Sequence, residues 1–117
     1  MPEKPKNDPV TELLVMTFLD LIAERRLAGR SELAATQETI AQWISERTSL
    51  SVTARHVQEL VKVLTQANLI EIGGAGIGKP NTYITREDQM GSELFWTQVD
   101  ALLLVWQHPA RKALAAR

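Results

Sequence analysis

The chain has 117 residues, 44% hydrophobic and 23% charged, enough for one globular domain plus an accessory element. It holds no cysteine, which excludes disulfides and thiolate metal sites, and its two histidines, His56 and His108, stand far apart without ligand-like neighbours, against a structural zinc site. The formal net charge of -1 argues against a bulk polyanion binder, although DNA binding needs only local positive charge.

Residues 1–9 read as a disordered polar leader without the apolar core of a secretory signal. No stretch is apolar enough for a membrane span, so a cytoplasmic protein is expected. Pro9 stands where a helix can start. From Val10 to Leu27 the apolar residues Leu13, Leu14, Met16, Phe18, Leu19, Leu21, Ile22 and Leu27 recur mostly at three- and four-residue steps, as in an amphipathic helix. Arg25 and Arg26 suit its last turn, and Gly29 lies just past its end. Residues 30–35 carry no clear signal. Thr36 is an N-cap candidate for a second helix from Gln37 to about Arg47, with Ile40, Ala41 and Ile44 on one face and Trp43 beside it.

A short polar turn, Thr48-Ser49-Leu50-Ser51, follows. Ser51 or Thr53 can cap a third helix to about Ala67, whose apolar stripe is Val57, Leu60, Val61 and Leu64. The period then changes. Leu69-Ile70-Glu71-Ile72 reads as a strand, residues 73–81 as a glycine-rich turn, and Thr82-Tyr83-Ile84-Thr85 as a returning strand. Ser92 can cap a last helix to about Gln107, striped by Phe95, Val99, Leu102, Leu103 and Trp106 and widened by Leu94, Leu104 and Val105. Pro109 ends it, and a basic, alanine-rich tail follows. The expected fold is mainly α with a small β-hairpin. The expected division is a leader at 1–9, a domain at 10–90, a C-terminal helix at 91–108 and a tail at 109–117.

Helix, helix, short turn, helix, hairpin is the order of a helix-turn-helix followed by a wing. Thr36-Gln37-Glu38-Thr39-Ile40-Ala41-Gln42-Trp43-Ile44 looks like the second helix of bacterial winged-helix proteins. Ser51-Val52-Thr53-Ala54-Arg55-His56-Val57-Gln58-Glu59-Leu60 resembles their recognition helix, and Leu64-Thr65-Gln66-Ala67-Asn68-Leu69-Ile70 its exit. Asn68 stands where glycine is usual there; asparagine tolerates the left-handed conformation. Over residues 10–86 the chain resembles the broad winged-helix superfamily that includes MarR-like and PadR-like repressors and plasmid replication initiators. The resemblance implies sequence-specific binding of double-stranded DNA, transcription regulation and no enzymatic activity.

The residues agree with that expectation. A major groove about 12 Å wide admits one helix, which must dock by an apolar face and read by a polar one. Opposite the apolar stripe of the third helix lie Arg55, Glu59, Lys62 and Gln66, flanked by Val52 and His56. Arg55 suits guanine and Gln58, nearer the side, adenine. Ser49, Ser51 and Thr53 add hydroxyl donors near the helix start, where N–H groups favour phosphate. Lys79 and Asn81 stand near the wing tip. His56 reads as an exposed helix residue able to touch DNA, and His108 as a helix end.

Gly73 through Lys79 has G-x-x-x-x-G-K spacing, but Pro80 replaces the Ser or Thr that would hold magnesium, and the loop leads into a strand. No nucleotide, metal or other cofactor is expected. The stripe Phe95, Val99, Leu102, Leu103 and Trp106 needs burial, either on the first helix or against a second chain; a homodimer on a palindromic operator is favoured. No feature marks a small-molecule effector site, although Trp43 and Trp96 are places for one. Two other functions fit the same pattern: a plasmid or mobile-element replication or partition factor binding origin repeats, and a winged-helix protein-interaction module. No convergent nucleophile and base supports an enzyme.

Overall fold

The computed structural model describes residues 7–29, 32–74 and 80–116. The first helix, α1 (Pro9–Leu27), starts on Asp8, whose carboxylate accepts from the Thr11 N–H at 2.8 Å. Pro9 occupies the first helical position, where its missing N–H costs nothing. Gly29, at φ 84, takes the chain out of the helix in a conformation that favours glycine. One face of α1 buries Leu14, Val15, Phe18, Leu19, Leu21 and Ile22.

The remaining elements are β1 (Leu33–Ala34), α2 (Gln37–Thr48), α3 (Ala54–Gln66), β2 (Ile70–Gly73), β3 (Thr82–Thr85), α4 (Glu87–Met90), α5 (Ser92–Val105) and α6 (Arg111–Ala115). The fold is mainly helical with a small three-stranded antiparallel sheet in the order β1-β3-β2. Tyr83 on the central strand faces Leu33 on one side and Ile72 on the other. Its ring is buried edge-on against Phe18, with centroids 5.7 Å apart, and so ties the sheet to α1. Asn68 leaves α3 at φ 58, the left-handed conformation asked of it. Among the described residues, no helix is long and apolar enough to cross a membrane.

Several sequence expectations need correction. Residues 33–34, without a periodic signal, form β1, because a two-residue strand is defined by its partner β3 and not by its own pattern. Ser92 does not cap the last helix: Gly91, at φ 87, takes the N-cap position, and the Ser92 hydroxyl donates to the Glu87 carboxylate. That helix ends at Val105 and not at Gln107, and Trp106 is extended (φ -122, ψ 135). The basic tail folds as α6 and buries Leu114.

The boundary expected at residue 91 is crossed by the hydrophobic core. Phe95, Val99 and Leu103 are buried in the same cluster as Leu14, Phe18, Leu60 and Leu64. These side chains, expected at a dimer contact, are therefore used inside the chain. The physical reason is the apolar surface of these side chains, which the core of the same chain already removes from water. Leu102 and Trp106 of the same stripe are only partly buried, and Leu94, Leu104 and Val105 face outward.

Candidate nucleic-acid interface

The α2–turn–α3 unit is held by side chains as well as by its core. Thr36 caps α2, accepting from the Thr39 N–H at 3.1 Å. Ile40, Ala41 and Ile44 of α2 pack in the same buried cluster as Val57, Leu60, Val61 and Leu64 of α3. Between the helices Ser49 turns the chain at φ 61. The Ser45 hydroxyl donates to the Val52 carbonyl (3.1 Å) and accepts from the Val52 N–H (3.0 Å), which anchors the turn to the last part of α2. The Thr48 hydroxyl donates to the Ile44 carbonyl (2.7 Å) and accepts from the Leu50 N–H (3.2 Å). Ser45 and Thr48 thus set the angle at which α3 leaves α2. Sequence reading passed over both, because serine and threonine on a helix have no signature until their partners are known.

Of the residues expected at a DNA interface, Ser49, Ser51, Thr53, Arg55, Gln58, Lys62 and Asn81 are exposed, and His56 and Glu59 are half-buried. Lys79 lies outside the described residues. Arg55, Gln58, Glu59 and Lys62 share the outer side of α3, away from the buried Val57, Leu60, Val61 and Leu64. The charges divide in a useful way. Arg26, Arg47 and Arg86 are bound to Asp88, Glu24 and Glu71. Arg55 and Lys62 have no carboxylate partner among the described residues. The hydrogen bond from Arg47 holds the Glu24 carboxyl below its ordinary range, and the Arg47 guanidinium above its own. That exposed pair fastens α1 to α2 at 2.6 Å and leaves α3 unencumbered.

The two histidines, distant in sequence, meet in space: their rings stand edge-on with centroids 5.7 Å apart. His108 is not a helix end but lies in the link between α5 and α6, where it is 1% exposed. His56 is not simply a solvent-facing helix residue either, because its Nδ1 accepts from the Thr53 backbone N–H (3.0 Å) at the start of α3. Burial, then the His108 ring, then Arg55 push the His56 imidazole below its usual value. Arg55, His56 and Glu59 line one shallow depression with His108, Pro109 and Ala110.

The tryptophans named for an effector sit in different settings. Arg25 lies over the Trp43 ring at 5.2 Å and occupies that face. Trp96 borders a cleft with Leu19, Ile22, Ile84 and Phe95. The glycine-rich loop leaves β2 and returns into β3, so no helix follows it as a phosphate-binding loop requires.

Comparison with protein-family models, with curated proteins and with solved structures returns no match for this chain.

Proposed function

We propose that this chain is a winged-helix protein that binds double-stranded DNA sequence-specifically as a homodimeric transcriptional regulator of the repressor type. The observation that carries the reading is α3: a helix docked by one apolar side, whose other side presents Arg55, Gln58, Glu59 and Lys62 with both cations unpaired among the described residues. Arg55 matches the guanine edge and Gln58 the adenine edge, Glu59 can accept from cytosine N4, and Lys62 can meet phosphate. Ser49, Ser51 and Thr53 supply donors at the turn, and the β2–β3 hairpin is the wing, with Asn81 exposed just ahead of β3, on the loop side of the Gly73–Thr82 pair. Dimer contacts fall to the outward residues of α5, Leu94, Leu104 and Val105, with Leu102 and Trp106 at the edge.

The test is fluorescence anisotropy against DNA from upstream of the chain's own gene, with scrambled DNA as control, across a salt series. Preferential binding that weakens steeply with salt supports the reading, and the slope counts phosphate contacts. No binding even at low salt refutes it. That result favours a second reading, a protein-interaction module, for which the exposed apolar strip of α5 and the net charge of -1 speak.

A further inference from the structure

The two imidazoles join the end of the chain to the start of α3, and their hydrogen bonds fix their protonation. His108 Nδ1 accepts from the Ala110 backbone N–H at 3.0 Å. An amide N–H can only donate, so this nitrogen carries no proton. The proton is then on Nε2, which donates to the His56 carbonyl at 3.0 Å. The His108 backbone N–H donates to the buried Thr11 hydroxyl (2.9 Å), which donates to the Asp8 carboxylate (2.8 Å). His56 Nδ1 likewise faces a donor, the Thr53 N–H. Both rings are therefore neutral Nε2–H tautomers. The Trp106 ring lies against His108, with centroids 5.6 Å apart.

We infer that residues 106–110 form a clasp on the first turn of α3, that the clasp closes only while the His56 imidazole is neutral, and that acidification therefore loosens the first turn of α3 from its DNA-reading position. The DNA half of this inference rests on the proposed function; the clasp itself does not. A proton on His56 Nδ1 sets donor against donor at the Thr53 N–H. A charged His56 also stands in the first turn of α3, at the positive end of the helix dipole. The surrounding charges are Asp8 ahead of α1, Arg55 and Glu59 on α3, and Arg111 on α6, whose guanidinium reaches the His108 carbonyl (3.4 Å) and Asp8 (4.0 Å). Asp8 is engaged by the Thr11 N–H and hydroxyl and by Arg111.

The sign follows from linkage. His56 in the folded chain lies below its unfolded value of about 6.5. Its contribution is full above that value and is lost as pH falls from about 6.5 towards the lowered folded value, because the unfolded chain takes up the proton first. Simple electrostatics predicts the opposite for DNA: a positive charge added at His56 would tighten binding to phosphate. The direction of the pH effect therefore separates a clasp from a mere gain of charge.

The experiment is an NMR titration of the full chain from about pH 8 to pH 5, with anisotropy against specific DNA at fixed salt over the same range. In the titration, the Thr53 and Ala110 amides should lose exchange protection together as the His56 ring signal shifts. Specific affinity should fall over the same pH range in which these amides lose protection. His56→Gln keeps an acceptor at the third helical position, where glutamine commonly serves, and removes the titrating group. Its ratio of affinities at high and low pH should be flat, whatever its absolute affinity. Affinity that holds or rises on acidification overturns the gate, and amides that stay protected while the His56 ring protonates overturn the clasp. Absence of DNA binding at every pH would sink the proposed function and the gate, while the amide titration still decides the clasp.

Discussion

Phe95→Ala separates a helix that completes the monomer from one that joins two chains. Phe95 is fully buried, packed edge-on against Trp96 with centroids 5.1 Å apart, in the cluster that includes Leu14 and Phe18. Truncating a buried phenylalanine costs about 3–5 kcal/mol, from lost transfer energy and the cavity left behind. A domain of this size has a total stability of only about 6–18 kcal/mol, at about 0.05–0.15 kcal/mol per residue. With a urea slope of about 2 kcal/mol/M, the unfolding midpoint should drop by about 2 M. The assay is urea unfolding followed by circular dichroism at several protein concentrations, with Leu104→Ala as the contrast. Leu104 is 56% exposed, so its truncation should cost the monomer under about 1 kcal/mol and act on association instead. If Phe95→Ala left the midpoint within about 0.5 M and only weakened self-association, the monomer-core account of α5 would be wrong.

Ser45→Ala removes both hydrogen bonds to Val52 and should lower stability by about 1–2 kcal/mol in thermal unfolding; DNA affinity should drop beyond that, because α3 loses its anchor. Equal affinity would show that the turn is held by packing alone. Arg55→Ala should relax preference at one base pair and cost about 1–3 kcal/mol on the specific site alone, whereas Lys62→Ala should weaken all DNA alike and reduce the salt slope by about 1. A competition assay across single-base operator variants distinguishes them. The Tyr83 hydroxyl is buried without a hydrogen-bond partner among the described residues, so Tyr83→Phe should raise stability by about 1 kcal/mol, read as a higher Tm in calorimetry. A fall in Tm would instead reveal a partner for that hydroxyl.

Much of this protein was legible in order along the chain. The α2 and α3 stripes, the Thr36 cap, the left-handed Asn68 and the β3 span are local properties, decided by side-chain period and by conformations open to each residue type, whereas the α1 stripe was read less well: Leu13 and Leu27 are exposed and Val15 is buried. The outward side of α3 follows from the same period, so Arg55, Gln58 and Lys62 were expected on the surface and are found there. What depended on distant partners was not legible. β1 exists because β3 offers it hydrogen bonds, Ser45 matters because Val52 lies within reach, and Phe95, Val99 and Leu103 are buried because the core built by the other elements takes them in. The meeting of His56 and His108 shows the division most sharply. A sequence separation of 52 residues carries no information about contact, and only the return of the chain over α1 brings one ring to the carbonyl of the other. Periodicity reports which side of an element faces inward; it is silent on what waits there, because that is settled by packing among elements and not by any one of them.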